Sequence, residues 1–335
     1  MEYRLLGRTG VRVSPLCLGA LNFGEPTPEP EAIALLHHAL AQGLNFVDTS
    51  NSYGRGNSES IVGRALSGGR RQQVVLATKF HFAQTEDVND RGNSRRHLIM
   101  ALDDSLRRLQ TDWIDLYQVH RPQFDLAQDE TLRALDDVVR AGKVRYIGCS
   151  GFPAWLVMEG LALSDRHGWA RMVSEQPPYN ILDRRIENEL VPLAERYQLA
   201  LLPWSPLAMG LLAGRYPQDG TPQADTRAQR WGGPYAARVT PHAVRTAQRF
   251  AELARAHGCE PAALAVRWLC GQPAVTAPII GPRNIAQLDA YLNALALNLS
   301  PELRSAIDAL VPPGSAVTDF HNNSGWMRMH VDLSD

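Results

Sequence analysis

LNFVDTSNSYGRGNSE, residues 44–59, begins as an apolar strand, stops on the carboxylate of Asp48 and runs through Tyr53 toward an amphipathic stretch at 58–66. A lone Asp after an apolar run is most often a turn former or a helix cap. The question is whether other strands end the same way. Short apolar runs recur along the chain: LCLGAL from 16, VVLATK from 74, DLYQVH from 115, VRYIGCS from 144, ARMVSEQ from 170, LALLPWS from 199 and APIIG from 277. With LNFVD they make eight strand candidates.

Amphipathic segments separate them, at 29–42, 58–66, 94–109, 129–141, 153–165, 185–197 and 241–271 with a break near Cys259, and another pair follows residue 283. Alternating strands and helices require right-handed crossovers and a parallel sheet. Eight such units close into a (β/α)8 TIM barrel, whose usual size of ~250 residues leaves room for additions. YRLLGRTGVRVS, 3–14, reads as a β-hairpin around Thr9-Gly10 that plugs the barrel floor. Long loops are expected after strand three (81–93) and strand seven (208–240), with a C-terminal tail from Pro312. No repeat or linker divides the 335 residues, so a single domain over 1–335 is expected, with a doubly wound open sheet as the rival. That rival usually carries G-x-G-x-x-G after its first strand. Neither that pattern nor a Walker-type loop occurs here.

Hydrophobic residues make up 44% of the chain, and the formal net charge is -1. With a sequence pI near 6.8, there is no electrostatic case for a nucleic-acid or anionic-membrane partner. The N-terminus lacks an apolar secretion core, and no stretch is apolar for long enough to span a bilayer. Cys17, Cys149, Cys259 and Cys270 are scattered, which argues against zinc and against a disulfide framework. A reduced, cytoplasmic protein is expected, as a monomer or small homo-oligomer.

In a barrel of this kind the reactive groups stand at the C-terminal ends of the strands. Asp48, Lys79, His120, Ser150, Gln176 and Trp204-Ser205 end strands two to seven. Each has a structural reading alone: Lys79 as a snorkelling strand end, His120 as a hydrogen-bonded core histidine, Gln176 as a brace before Pro177-Pro178. Together they are harder to dismiss. A buried ammonium is costly without a carboxylate partner, so Asp48 and Lys79 account for each other. Tyr53, on the loop above, is the proton carrier this pair would serve, and a neighbouring Lys⁺ is expected to lower its pKa. His120 would share the phenol's hydrogen bond or polarise a substrate carbonyl.

These residues resemble a known family. D48-T-x-N-x-Y53-G-x-G-x-S-E59, LATK79, DLYQVH120, EQPPYN at 175–180, PWSPLAMGLLAG at 203–214 and PIIGPR at 278–283 are similar, in order and over nearly the full length, to an aldo-keto reductase. The resemblance implies that Asp48, Tyr53, Lys79 and His120 are a catalytic tetrad, with Tyr53 as acid or base, and that NADPH/NADP+ lies across the barrel mouth without a metal. It assigns Trp204 to stacking on the nicotinamide, and Ser150 and Gln176 to its carboxamide. Leu207, Gly210, Leu212, Gly214 and Arg215 would wrap the pyrophosphate, Arg283 hold a phosphate and Gln287 contact the adenosine, with Ser205, Gly281 and Tyr291 also in the cofactor site. Two departures stand out: Gly151 where the family commonly has Asn after the serine, and Tyr291 where an Asn often follows the adenosine-contacting Gln.

The implied substrate is a small-molecule carbonyl compound. The tail AVTDFHNNSGWMRMHV, 316–331, carries Phe320, Trp326, Met327 and Met329 without a helical or strand period. They either cover the outside of the barrel or, with Asn22, Phe23 and Phe80, build an apolar pocket above Tyr53 suited to an aryl or extended hydrophobic aldehyde or ketone. Other readings are a regulatory or binding subunit, since channel-associated β-subunits resemble the same family, a polyol or sugar dehydrogenase running oxidatively, and a phosphosugar lyase or isomerase on a generic barrel.

Overall fold

Alternation of side chains along each strand decides what this barrel holds. The computed structural model describes residues 1–216 and 226–321. A short antiparallel hairpin, β1 (Arg4–Leu5) with β2 (Arg12–Val13), precedes eight parallel strands: β3 (Cys17–Gly19), β4 (Phe46–Asp48), β5 (Val75–Phe80), β6 (Ile114–Val119), β7 (Val144–Ser150), β8 (Met172–Gln176), β9 (Ala200–Leu201) and β10 (Ile279–Ile280). The sheet order is β10-β3-β4-β5-β6-β7-β8-β9. Closure comes from Ile279 N donating to Pro203 O at 2.8 Å and Thr276 N to Leu201 O at 2.9 Å. The fold is thus a (β/α)8 barrel.

Helices α1 (Glu29–Ala41), α2 (Asn57–Ala65), α3 (Arg95–Leu109), α4 (Gln128–Arg140), α5 (Ala154–His167) and α6 (Leu190–Tyr197) follow the barrel strands in turn. Between β9 and β10 come α7 (Arg227–Trp231), α8 (Gly233–Ala237), α9 (Pro241–Ala256) and α10 (Pro261–Cys270), and α11 (Ile285–Ala294) and α12 (Pro301–Leu310) close the series. Several starts are set by side-chain caps that satisfy first-turn N–H groups: Ser94, Thr240, Asn284 and Ser300 accept from His97, Ala243, Gln287 and Leu303. The expected long loop at 208–240 is partly structured, with a 3-10 turn over Ala208–Ala213 and the two five-residue helices α7 and α8. Such short turns carry too little periodicity to be read from sequence.

The barrel interior has two layers. The lower one is apolar, formed by Cys17, Phe46, Ala77, Leu116, Val173, Ala200, Leu202 and Ala277, and the hairpin's Leu6 and Val13 pack against it. The hairpin therefore plugs the floor as expected. Two residues further along, the same inward parity brings Asp48, Lys79 and Gln118 to the upper layer. Between β7 and β8 the register shifts after Ile147, which leaves Val173 in the lower layer while Ser150 pairs with Gln176 above. Among the described residues no helix is long and apolar enough to cross a membrane, and all four cysteines are free thiols.

Candidate active site

Strands β4 and β5 place Asp48 and Lys79 side by side because both point inward at adjacent heights. Lys79 Nζ donates to Asp48 Oδ2 at 2.6 Å, to Thr49 O at 2.8 Å and to Tyr53 Oη at 3.1 Å. Asp48 Oδ1 accepts from Gln118 Nε2 at 3.2 Å and Gln176 Nε2 at 3.0 Å. A carboxylate in this position, 2% exposed, would be costly without such donors. Burial pushes the Lys79 ammonium toward neutrality, but Asp48 and Tyr53 more than offset this and hold its pKa above the ordinary value.

Tyr53 reaches this pair because the chain after β4 is pinned. Thr49 N donates to Ala77 O and Asn51 N to Lys79 O, and Ser58 Oγ bonds Thr49 Oγ1 and Ala20 O. Gly54 and Gly56 then take positive φ, 55° and 88°, turning the chain into α2. A Cβ on Gly56 would come within 2.7 Å of the Arg108 side chain. That arginine is bound to buried Glu59, which also accepts from Thr78 Oγ1 at 2.5 Å. Glu59 thus anchors the start of α2 to β5 and α3, so this part of the opening stretch is structural.

The Tyr53 phenol differs from expectation. Burial raises its pKa above the ordinary value, and Lys79 lowers it only in part. Desolvation of the phenolate outweighs one neighbouring ammonium whose own carboxylate partner pulls the other way. The phenol therefore keeps its proton well into the alkaline range. His120 lies edge-on to Tyr53 with ring centroids 5.9 Å apart, and its Nδ1 meets Ser50 Oγ at 3.1 Å. Burial, then Arg121, Lys79 and His81, hold its pKa well below the ordinary imidazole value, so the ring is neutral.

These groups open onto a cavity of about 900 Å³. Its wall near Tyr53 and His120 carries Phe82, Arg121, Trp204, Tyr235 and Arg238; its far end is formed by Gly281, Arg283, Gln287 and Tyr291 at the start of α11. The far end suits a polyanionic dinucleotide. Arg215, Arg227 and Arg283 all act electrostatically on Tyr291, and Gly281 leaves a space in which a Cβ would lie 3.4 Å from Asn22 Nδ2 and 3.6 Å from Arg227 Nη2. At the other end the buried Trp204 Nε1 has no hydrogen-bond partner among the described residues. A flat, partly buried indole on the same cavity wall as Tyr53, with Arg283 at the far end, fits a nicotinamide dinucleotide laid across the mouth.

The model of the Aldo/keto reductase family matches residues 15–312. This chain belongs to the aldo-keto reductase family. It is 39% identical over 333 residues to the "Uncharacterized oxidoreductase YrpG" of Bacillus subtilis (strain 168), covering 96% of this chain and 99% of that protein. A "Probable voltage-gated potassium channel subunit beta" of Oryza sativa subsp. japonica is 35% identical over 93% of this chain and 97% of its own length. The "Versiconal hemiacetal acetate reductase" of Aspergillus parasiticus is 33% identical over 90% and 94%. The chain is thus an oxidoreductase of a family that generally uses nicotinamide cofactors and acts on small-molecule carbonyl compounds.

Most residues singled out from sequence meet in this aldo-keto reductase's cavity: Asp48, Tyr53, His120, Ser150, Gln176, Trp204, Ser205, Leu207, Gly210, Arg215, Gly281, Arg283, Gln287, Tyr291 and Asn22 line it, with Lys79 directly beneath Tyr53. Leu212 and Gly214 do not line it; Leu212 is buried in the core and Gly214 ends the 3-10 turn with φ 69°. Phe80 and Phe23 are corrections. Phe80 follows inward Lys79, so it points outward and stacks on Tyr117 at 4.9 Å, and Phe23 is buried in the outer core. Phe82 is the aromatic at the site, edge-on to His120 at 4.9 Å. Trp326 lies outside the described residues. Gln118 was missed although it shares inward parity with His120 two residues on. Arg121, Tyr235 and Arg238 carried no pattern that placed them here.

Proposed function

We propose that this protein is an NADPH-dependent reductase of aldehydes or ketones, with Tyr53 as the proton donor. The observation that carries the reading is the Tyr53 oxygen 3.1 Å from Lys79 Nζ, itself 2.6 Å from Asp48, at the floor of a cavity that runs to Arg283. When bound, the cofactor supplies a hydride to the carbonyl carbon. The C=O π pair moves to oxygen, which takes the phenolic proton of Tyr53, and the alcohol leaves. Lys79 stabilises the phenolate left behind, Asp48 keeps Lys79 charged, and solvent returns the proton. With the Ser50 hydroxyl donating to Nδ1, neutral His120 presents its Nε2 hydrogen to the carbonyl oxygen. In reverse, the same Tyr53 acts as base for alcohol oxidation. Phe82, Trp204 and Tyr235 favour an aryl or extended carbonyl compound over a polyhydroxy sugar.

The test follows absorbance of NADPH with purified protein against aromatic and aliphatic aldehydes, ketones and sugars, and of NADP+ against the matching alcohols and polyols. Turnover of aryl aldehydes with NADPH supports the reading. Tight NADPH binding with no turnover of any carbonyl or alcohol would favour a binding subunit instead.

A further inference from the structure

The cavity is rich in cations. Its wall includes six arginines, Arg121, Arg215, Arg227, Arg230, Arg238 and Arg283, against two carboxylates, Glu25 and Asp48. Asp48 is already ion-paired to Lys79. Arg215, Arg227 and Arg283 gather around Tyr291, where a dinucleotide's phosphates would lie, and Arg227 Nη2 donates to Asn22 Oδ1 at 3.4 Å. Arg121 and Arg238 stand beside Trp204. Their guanidinium carbons lie 6.0 and 5.6 Å from the centre of the Trp204 ring, and Arg121 lies 5.9 Å from the centre of Phe82. Arg121 acts electrostatically on the Tyr53 phenol, and Arg227 interacts with it as well.

Arg121 is held in place by its own neighbours: Nη1 donates to His120 O at 2.6 Å and to Ser150 Oγ at 3.2 Å. Arg121 and Arg238 are 9% and 2% exposed. Burial is the main force lowering the Arg121 pKa, to about 10, and Arg238 lowers it further. Two buried cations that repel each other around one aromatic ring raise the affinity of the space between them for an anion. A guanidinium there is suited to carboxylate oxygens through directed N–H donors.

We propose that the substrate is an aryl carbonyl compound bearing a carboxylate, with Arg121 binding the carboxylate, Arg238 adding to the attraction, and Phe82, Trp204 and Tyr235 flanking the ring. This rests on the reductase reading above and names its substrate class. The reaction is unchanged: hydride to the carbonyl carbon, the π pair to oxygen, the Tyr53 proton to that oxygen, with NADPH oxidised to NADP+. The carboxylate takes no part in bond making. Arg121 is a specificity residue.

The test compares 4-carboxybenzaldehyde with 4-methylbenzaldehyde, using NADPH, in wild type, Arg121→Gln and Arg121→Lys. Wild type is expected to favour the carboxylated aldehyde in kcat/KM by about tenfold or more, the scale of one charge-assisted contact. Arg121→Gln should bring the ratio near one, and Arg121→Lys should restore part of it. Because Arg121 also braces His120 and Ser150, both rates fall in Arg121→Gln; the ratio cancels this common loss. An unchanged ratio, or no wild-type preference, overturns the proposal. A second arm does not need turnover. Calorimetric titration with benzoate and benzamide, with and without NADP+, should show benzoate binding that Arg121→Gln abolishes and Arg283→Ala retains. Binding lost in Arg283→Ala and kept in Arg121→Gln, or no binding of benzoate to wild type, overturns the proposal. Benzoate binding at Arg121 with no reduction of any aldehyde would instead overturn the reductase reading alone.

Discussion

Phe320 sets its ring edge-on to the Trp204 indole, with centroids 6.3 Å apart and ring planes at 62°. The segment that carries it is tied down by backbone and charge. Val317 N donates to Leu182 O at 2.9 Å, and Phe320 N donates to Asp183 Oδ2 at 2.8 Å. Asp183 also pairs with Arg185 at 2.6 Å and with the His321 ring at 3.1 Å. Burial alone would push the Asp183 pKa up, but the contacts with Arg185 and His321 bring it down to about 2. The chain after α12 thus reaches the mouth and braces the aromatic proposed to face the nicotinamide.

Phe320→Ala is therefore expected to cost about 3–5 kcal/mol of stability, the range for emptying a buried aromatic site, and to raise KM for aryl carbonyls more than for a very small aldehyde. Urea melts and steady-state kinetics check this. A loss of stability with every KM unchanged would show that the segment braces the barrel alone.

Tyr53→Phe should retain NADPH binding and lose about 10² to 10⁴ in turnover, the usual contribution of general acid catalysis. Activity within tenfold of wild type would remove Tyr53 as the proton donor. Lys79→Met should be equally inactive and should also lose about 3–5 kcal/mol, because Asp48 is then a buried charge without its ammonium. Activity and thermal melts measured together separate the two roles.

Arg283→Ala should weaken NADPH by about 1.5 to 3 kcal/mol, the range for a hydrogen bond to a charged group, and NADH much less. Fluorescence titration with both cofactors checks this. Equal losses would place Arg283 on a group that the two cofactors share.

Glu175 sets a pH dependence. It is fully buried, its Oε1 accepts from Phe152 N at 3.1 Å, and burial raises its pKa to about 8. Below the unfolded carboxylate value, near 4.5, the group is neutral in both states. As pH rises toward about 8, the unfolded chain releases this proton and the folded chain keeps it, so stability falls across that window. Glu175→Gln should remove this slope and be more stable than wild type at pH 8 than at pH 5, relative to the same comparison. Chemical denaturation at pH 5, 6.5 and 8 gives the result; parallel wild-type and variant curves would mean that Glu175 ionises in the folded protein near its ordinary value.

The barrel and the meeting of its strand ends are legible in the order of residues alone. Eight apolar runs alternating with amphipathic segments admit few topologies, and the polar or aromatic residues that end strands two to seven have one place to go once the sheet closes. Strand parity is also written in the sequence. It places Gln118 inward with His120, two residues away, and Phe80 outward beside inward Lys79, so the Phe80 expectation failed against information the sequence contained.

Tertiary structure alone decided the rest. The Tyr53 pKa depends on a balance between desolvation and two opposite charges at short range, which no spacing encodes. Phe82, Tyr235, Arg121 and Arg238 reach the cavity from loops and short helices whose course is fixed by contacts distant in sequence. Trp204 and Phe320 are 116 residues apart and come together because Leu182 and Asp183 hold the chain after α12. Local patterning specifies elements with a repeating period; the walls of this cavity are aperiodic, and packing against the finished barrel positions them.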